Sequence, residues 1–413
     1  MHYTPVQFRY VQQLLLVVGF LMFSCNGNTQ IHNTWRGPDR DGVYHETGLL
    51  TSWPEDGPKM AWAFEELGIG FSSPVIANGK IYVTGMEDEM GYVYILSMEG
   101  KFIKKYPYGE EEADNYPGTR STPNIIGNLM YMATSKGKLV CMDITNGNIV
   151  WSKDLFSDFD GSNIRWGLTE NLLIEGEVIY VAPGGETNNV VALNRNTGAQ
   201  IWSSKGKGER SAYNSPLLIN HNGNRILVTM MGTHILGMRA DDGTLLWSYP
   251  YKNRHNIYPN TPIYHDNSLF LFSGYGKGSI RLALNHDGSE VTKLWENETF
   301  DNQMGGVILH EGYLYGSGHR NRRWFAVDWE SGEIKHESRE IDKGTVIAAD
   351  GMLYAYTERG ELALIKPKQG SFEIVGTAEV TLGSDQHWAH LVIHDGILYV
   401  RHGNALMAYN IRK

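Results

Sequence analysis

Short apolar stretches alternate with Gly, Asn and Asp turns along almost the whole chain. In the segment VVALNRNTGAQIW (190–202), an apolar run meets an Asn-Thr-Gly turn and ends at a tryptophan. Related phrases occur at 139–151, 235–247, 324–336 and, with extra residues after the turn, at 280–295. The tryptophans that end four of these phrases follow one another at intervals of 51, 45 and 48 residues, which is typical of the blades of a β-propeller. They are Trp151, Trp202, Trp247 and Trp295.

A second phrase leads each repeat unit and predicts two further strands. It consists of a short apolar strand, a tight turn built on Gly, Asn or Asp, and an alternating strand such as IYV, which together predict a β-hairpin. With the two strands of the first phrase, each unit has four. The pattern therefore predicts an all-β, eight-bladed propeller of four-stranded antiparallel blades. The copies are 72–85, 121–134, 169–182, 214–229, 260–273, 305–317, 344–357 and 389–402.

The last unit lacks a fourth strand, because the sequence ends at Lys413 soon after its third. The segment KMAWAF (59–64) precedes the first unit and carries Trp62 in an alternating pattern. We therefore expect this N-terminal segment to supply the outer strand of the last blade and to close the ring, which removes exposed sheet edges. Residues 33–413 would form one monomeric domain. Its blades would be joined by five docking tryptophans, Trp62, Trp151, Trp202, Trp247 and Trp295.

The N-terminus has the pattern of an export signal. Arg9 supplies a positive charge, residues 14–23 form an apolar run, and a small residue precedes Cys25. This order predicts a lipoprotein-type signal peptide at 1–24, acylation of Cys25 and a polar tether at 25–32. Ordinary secretion and an uncleaved anchor are the alternatives, although the apolar run is short for a membrane span.

The charge argues against a nucleic-acid-binding protein, and the cysteine content argues against a fold held together by disulfides. The 46 acidic and 36 basic residues give a net charge of -10 without a long block of one sign, so we expect no nucleic-acid partner. The chain has two cysteines, and if Cys25 is acylated then Cys141 has no disulfide partner. Cys141 lies in an apolar run, and we therefore predict a buried, unreactive thiol there.

The first phrase resembles the tryptophan-docking motif of the pyrroloquinoline-quinone-like propeller repeats, Ala-x-Asp/Asn-x-x-Thr/Ser-Gly-x-x-x-Trp. The copies at 326–336 and 141–151 match it in part. The resemblance covers nearly all of the predicted mature chain and implies that each tryptophan packs against the next blade. The copy that matches at every position consists of Ala192, Asn194, Thr197, Gly198 and Trp202.

This family has at least two functional branches. Its quinoprotein dehydrogenases are longer and use pyrroloquinoline quinone with calcium, commonly beside a vicinal cysteine disulfide. Its BamB-type outer-membrane assembly lipoproteins are compact eight-bladed propellers that bind protein partners and hold no quinone. The present chain resembles the second branch in length, blade number and predicted lipid anchor. It also has neither a Cys-Cys pair nor a CxxCH haem motif.

The resemblance implies a non-catalytic binding or scaffold protein of the cell envelope, anchored in the outer membrane and facing the periplasm or the surface. Its partner would be an envelope protein or a small ligand, and outer-membrane protein assembly is one expected role. No cofactor and no catalytic residue are expected. The first alternative is a dehydrogenase that oxidises alcohols or sugars with pyrroloquinoline quinone and calcium. The second is a carbohydrate-binding or carbohydrate-active propeller.

The loops that lead into the innermost strands converge on one mouth of a propeller's channel, and we place the candidate binding site there. Aromatic and polar side chains in these loops can bind a small ligand or a peptide by stacking and hydrogen bonding. Packing of the channel rim is the alternative. The candidates are Arg120, Trp166, Tyr213, Tyr258, Gln303, His387 and Trp388.

No metal site is expected. The segment DRDG (39–42), within WRGPDRDG (35–42), contains only a fragment of an acidic calcium loop, and its alternating signs suggest a strap held by salt bridges. His387 and His390 do not have the spacing of a zinc pair. HRNRR (319–323) is expected to be a solvated blade loop, with a contact for an acidic partner as the alternative.

Overall fold

The computed structural model describes residues 1–2, 34–213 and 215–413. The predicted signal peptide beyond its first two residues, Cys25 and the predicted tether at 25–32 lie outside this part. The described chain is built from strands connected by turns and loops. Within these ranges no helix is long and apolar enough to cross a membrane.

Two strands precede the first complete blade, β1 (Val43–Tyr44) and β2 (Lys59–Phe64). The first four blades then follow in chain order, each an antiparallel sheet whose strands run from the innermost to the outermost. Blade 1 contains β3 (Val75–Ala77), β4 (Lys80–Glu87), β5 (Met90–Ser97) and β6 (Phe102–Glu110); blade 2, β7 (Asn124–Ile126), β8 (Leu129–Ala133), β9 (Lys138–Asp143) and β10 (Ile149–Asp154); blade 3, β11 (Leu173–Glu175), β12 (Val178–Val181), β13 (Val190–Asn194) and β14 (Gln200–Ser204); blade 4, β15 (Leu217–His221), β16 (Asn224–Met230), β17 (His234–Arg239) and β18 (Leu245–Pro250).

The remaining four blades continue the same arrangement, and all eight predicted hairpins are present. Blade 5 contains β19 (Ile263–His265), β20 (Ser268–Ser273), β21 (Gly278–Leu284) and β22 (Val291–Asn297); blade 6, β23 (Ile308–His310), β24 (Tyr313–Ser317), β25 (Trp324–Asp328) and β26 (Ile334–Ser338); blade 7, β27 (Gly344–Ala349), β28 (Met352–Thr357), β29 (Glu361–Lys368) and β30 (Ser371–Glu379); blade 8, β31 (Val392–His394), β32 (Ile397–His402) and β33 (Ala405–Asn410).

The N-terminal strand closes the ring, as the sequence predicted. β2 pairs antiparallel with β33, with Trp62 opposite Ala408, and becomes the outer strand of blade 8. β1, which the pattern did not predict, adds a parallel strand on the inner side of blade 7 by pairing Val43 with Ala348. Segments from the N-terminal region therefore complete both of the last two blades, and the fold is an all-β, eight-bladed propeller.

A β-bulge interrupts the pairing between the third and fourth strand of each blade. In blade 3, Ala192 pairs with Trp202 and Leu193 pairs with Gln200, so Ile201 is left unpaired and exposed. A bulge bends and twists the strand that carries it. In this fold it lies immediately before the docking position and turns the following side chain towards the neighbouring blade.

Four tryptophans join neighbouring blades. Each indole Nε1 donates a hydrogen bond of 2.8 to 3.0 Å to a backbone carbonyl of the next blade. Each ring also covers the turn glycine of that blade, where an added Cβ would come within 2.4 to 2.8 Å of the indole. The contacts are Trp62 with Met98 and Gly100, Trp151 with Arg195 and Gly198, Trp202 with Ala240 and Gly243, and Trp295 with Trp329 and Gly332.

Trp247 departs from this docking pattern. It is buried in the cluster between blades 4 and 5, but its Nε1 has no hydrogen-bond acceptor among the described residues. The corresponding phrase of blade 5 carries extra residues after its turn, and the side chains nearest to the turn glycine Gly288 are Ile226 and His221. Next to the irregular repeat at 280–295, Trp247 thus lacks the docking hydrogen bond but still packs in the core between blades 4 and 5.

The hydrophobic core lies between adjacent sheets. Between blades 2 and 3, for example, Cys141 packs with Leu155, Ile179 and Leu193, all of them fully buried. Cys141 is a free cysteine, and burial raises the pKa of its thiol to about 11. The prediction that this cysteine is buried is confirmed.

Candidate functional site

Residues 35–42, called the plug below, cross the central channel. Arg36 and Arg40 are 3% and 6% exposed, and their guanidinium groups donate to backbone carbonyls on opposite sides of the ring. Arg40 reaches blade 3, whereas Arg36 reaches blades 6 and 7. The acceptors are Asn171 and Leu172 for Arg40, at 2.7 and 2.9 Å, and Val307 and Val346 for Arg36, both at 3.2 Å.

The expected strap of salt bridges within this segment is wrong. Neither plug arginine forms an ion pair with Asp39 or Asp41; both donate to carbonyl groups, and the charge of Glu170 acts on Arg40. Asp39 pairs with His45 at 2.9 Å, and Asp41 Oδ1 accepts from the backbone N–H of Val43 at 2.8 Å. Burial lowers the pKa of both guanidinium groups to about 10. The plug is therefore held by charge-assisted hydrogen bonds to the inner strands.

A belt of side-chain hydrogen bonds runs around part of the channel wall just above the inner strands. Ser73 Oγ donates to the carbonyl of His390 at 3.1 Å, and the Ser73 N–H donates to Thr122 Oγ1 at 3.1 Å. The Thr122 N–H donates to Asn171 Oδ1, and Asn171 Nδ2 donates to Ser215 Oγ. The belt links blade 8 through blades 1, 2 and 3 to blade 4.

His390 and Arg36 complete the other side of this wall. His390 Nε2 donates to the Met304 carbonyl at 2.8 Å, and its Nδ1 accepts from Arg36 Nη1 at 3.2 Å. Only the neutral imidazole can make both bonds, because Nδ1 must be free of a proton. Burial, and secondly the charge of Arg36, lowers the pKa of His390 to about 3. The interior thus holds one histidine in a single neutral tautomer.

Above the plug lies an open cavity of about 380 Å³, called the cup below. Trp35 of the plug and His390 lie at its channel side, with their rings 5.1 Å apart. Seven aromatic side chains line it, together with several polar groups. The aromatic residues are Trp35, Phe71, Tyr116, Trp166, Tyr213, Tyr275 and Trp388; the others are Arg120, Thr169, Asn171, His255, Ile257, Pro259, Gln303, Met304 and His390.

Five of the seven residues proposed from the sequence lie together in the cup: Arg120, Trp166, Tyr213, Gln303 and Trp388. The other two do not line it, and each is held elsewhere by specific contacts. Tyr258 is fully buried, and its hydroxyl donates to the Tyr251 carbonyl at 2.6 Å and accepts from the Asn253 N–H at 3.0 Å. Its chain neighbours Ile257 and Pro259 line the cup instead.

His387 lies beside the cup, although the adjacent Trp388 lines it. The His387 ring stacks on His402 with the centroids 3.7 Å apart, and its Nδ1 is 2.5 Å from the Tyr356 hydroxyl. Burial and the neighbouring His402 lower the pKa of His387 to about 4. Its role in the structure is therefore a packing contact between blades 7 and 8.

Three tyrosines of the cup have left-handed backbone conformations, with φ of 51° at Tyr116, 58° at Tyr213 and 63° at Tyr275. Most other described non-glycine residues of this kind are Asn or Asp, which tolerate the conformation more easily. A bulky residue in this region costs about 1 kcal/mol or more, and such strain is concentrated at functional sites. The sequence pattern missed Tyr116 and Tyr275; the flanking glycines of Tyr275 were the one signal of an unusual loop there.

Arg120 positions two walls of the cup. Its guanidinium donates to the carbonyls of Trp166 and Asn115, and to that of Tyr116 at 2.9 Å. Burial lowers the pKa of Arg120, and burial also raises the pKa of the nearby Tyr213 phenol. Much of the hydrogen-bonding capacity of this cation is therefore used to fix the backbone of the aromatic loops.

The residues present do not fit pyrroloquinoline quinone with calcium. Calcium binds six to eight oxygen ligands, usually including carboxylates, and no residue that lines the cup is acidic. In the described part of the chain there is also no group of three or more His, Cys, Asp or Glu that could hold a metal ion. The cup offers stacking surfaces, hydrogen-bonding groups and one guanidinium, that of Arg120.

A protein-family profile described as "Outer membrane protein assembly factor BamB" matches residues 112–338, more than half of the chain. The outer membrane protein assembly factor BamB of Kangiella koreensis is 25% identical over 138 residues, 33% of this chain and 32% of that protein. The matches to the first three curated relatives span between 32% and 50% of the relatives' own length.

Solved structures of two kinds share the fold. BamB from Moraxella catarrhalis superposes with a TM-score of 0.59 at 14% identity, over 86% of this chain and 99% of that one. The quinohemoprotein alcohol dehydrogenase of Comamonas testosteroni superposes with a TM-score of 0.65 at 11% identity, over 92% and 81%. At these identities the likeness concerns the fold alone, and a shared fold does not establish a shared function.

Proposed function

The chain belongs to the family described as outer membrane protein assembly factor BamB, and from this membership we propose that it is a non-catalytic binding or scaffold propeller of the cell envelope. Acylated Cys25 would anchor it to the outer membrane, on the periplasmic or the surface side. The face that carries the cup would contact the partner. A role in outer-membrane protein assembly, the one named for the relatives, is part of this proposal.

The construction of the cup is the observation that supports binding without chemistry. The plug closes the channel behind it, and the aromatic walls are fixed by backbone hydrogen bonds from Arg120. General acid–base catalysis needs a group that gains and loses a proton near the working pH. Two histidines line the cup: the buried His390 is held neutral by Arg36 and Met304, with its pKa lowered to about 3, and His255 has no carboxylate of the lining beside it to orient it as a base. A preformed recess of this kind favours recognition.

The test uses the full chain in the cells that produce it. Tyr116, which is half exposed at the rim, is replaced by the photo-cross-linker p-benzoylphenylalanine, and the membrane fraction is irradiated. We expect outer-membrane fractionation and cross-links from position 116 to an envelope component. The matched position is Phe102 on the outer strand of blade 1, also half exposed, which should give no such product.

The same protein also tests the rival enzyme. Purified chain is incubated with pyrroloquinoline quinone and calcium, and dye-linked oxidation of alcohols and sugars is measured. We expect neither stoichiometric uptake nor turnover. Uptake with turnover would overturn the scaffold function, as would a cytosolic protein that gives no cross-link from position 116.

A further inference from the structure

We propose that the cup binds the end of a neutral saccharide, an inference that rests on the proposed binding function and narrows it to one ligand class. A sugar ring presents C–H groups on its faces and hydroxyl groups around its edge. Aromatic side chains stack against such faces, and the edge requires hydrogen-bond donors and acceptors. The cup supplies both kinds of surface in one recess.

The aromatic surfaces are grouped on two sides of the cup. On one side, Trp388 packs between Phe71 and Tyr116, with ring centroids 5.1 and 5.0 Å away. On the other, His255 lies 5.6 Å from Trp166 and 4.5 Å from Tyr275. Two such walls can enclose a flat ring between them.

Several polar groups of the cup have no hydrogen-bond partner among the described residues, whereas others, such as Asn171 and Gln303, do. Among the described residues, none hydrogen-bonds to the phenols of Tyr116 and Tyr213 or to the indole nitrogens of Trp166 and Trp388, and Thr169 Oγ1 is buried without a partner. The buried phenols of Tyr251, Tyr258 and Tyr315, by contrast, all donate to carbonyls. Unused donors and acceptors in a recess are available to a ligand rich in hydroxyl groups.

The charge of the lining selects a neutral ligand. Arg120 is the one Arg or Lys of the lining, there is no carboxylate, and the guanidinium already donates to three carbonyls. A cationic ligand would meet this arginine without a balancing carboxylate. An anionic ligand would find no further Arg or Lys in the lining.

Size and shape agree with one or two sugar rings. The volume of about 380 Å³ lies near the lower end of the range for small-molecule pockets, roughly 300 to 1,000 Å³. The cup is open at one side and closed by the plug at the other, so a chain can extend outwards from a bound end. A planar heteroaromatic ligand would stack equally well but would leave the free phenols and the Thr169 hydroxyl unpaired, which is unfavourable.

The experiment probes the full-length protein with an array of neutral and acidic di- to hexasaccharides. The best neutral disaccharide is then titrated by calorimetry and by tryptophan fluorescence. Trp388→Ala should weaken binding about tenfold through the lost stacking surface. Tyr213→Phe keeps the ring and removes one hydroxyl, and it should weaken binding about fivefold. Phe102→Ala, on the outer strand of blade 1, is the matched control and should bind as the wild type does.

The outcomes separate this inference from the function on which it rests. Circular dichroism and melting curves establish that each variant is folded, and Tyr213→Phe keeps the test valid if Trp388→Ala disturbs the cup. Absence of binding to every neutral glycan at millimolar concentration overturns the inference, as does glycan binding that both cup variants leave unchanged. Cross-linking from position 116 without glycan binding leaves the envelope function standing and removes only the saccharide. Binding of a planar heteroaromatic in place of the sugar also overturns it.

Discussion

Acidification is expected to destabilise the propeller through His390, the neutral histidine in the channel wall. Protonation would place a proton on Nδ1, where the ring now accepts a hydrogen bond from Arg36 at 3.2 Å. The imidazolium would then face a buried guanidinium, and the hydrogen bond between the plug and His390 of blade 8 would be lost. The perturbation is a change of pH from 7.5 to 5.

The magnitude follows from the difference in pKa between the unfolded and folded states. His390 has a pKa of about 3 in the fold, against the ordinary value of 6.5. Between these values the unfolded chain binds more protons, so the free energy of unfolding falls as the pH falls. Each pH unit in this window changes the free energy of unfolding by about 1.4 kcal/mol. At pH 5 this histidine therefore removes about 2 kcal/mol of the stability that is fully present above pH 6.5.

The assay is equilibrium unfolding in guanidinium chloride at pH 7.5, 6.5, 5.5 and 5.0, on the wild type and on His390→Gln. The variant is expected to be less stable than the wild type at pH 7.5. Between pH 7.5 and pH 5, however, its free energy of unfolding should fall by about 2 kcal/mol less than that of the wild type. His286→Gln, at an exposed turn position of blade 5, should keep the slope of the wild type. Equal slopes for the wild type and His390→Gln would refute the reasoning.

Three further predictions concern the ring. Trp62→Ala removes the hydrogen bond to Met98 and the cover of Gly100, and chemical denaturation should show a loss of about 2 kcal/mol; an unchanged midpoint would contradict the docking role. Gly198→Ala should lower the stability by about 2 to 3 kcal/mol, because φ is 68° and a Cβ would lie 2.8 Å from Trp151. Gly176→Ala, with φ of 56° and open space around it, should cost only about 1 kcal/mol, so equal losses would exclude the contact as the cause. Deletion of 59–64 should open blade 8 and cause aggregation in light scattering, and a soluble monomer with unchanged Tm would argue against closure by β2.

The blades could be predicted from the sequence because their contacts are local. Each hairpin joins strands that are neighbours in the chain, so the alternation of apolar residues and the turn glycines mark every unit. Closure by 59–64 could be predicted as well, since the last unit lacked one strand and Trp62 stood alone before the first. Where a repeat is irregular, as at 280–295, the pattern still placed the strands but overestimated the regularity of the Trp247 contact.

The cup was predicted only in part, because the direction of a loop side chain depends on what surrounds it. Tyr258 and His387 were expected at the channel mouth, yet Ile257 and Trp388, one position away, line it. The core between blades 4 and 5 holds the Tyr258 ring and its carbonyl partner. Likewise, His402 holds the ring of His387. A shift of one position along a loop therefore changes the direction in which the side chain points.

The position of the plug could not be predicted from the sequence, because it depends entirely on tertiary contacts. Sequence periodicity describes pairing between neighbouring strands, but the carbonyls that face the channel need partners from elsewhere in the chain. Arg36 and Val346 are 310 positions apart, and Arg40 and Asn171 are 131 apart. No local pattern indicates such contacts. The sequence by itself therefore determined the eight blades and their closure, whereas only the folded ring decided that WRGPDRDG closes the channel and that its Trp35 meets six further aromatic side chains in the cup.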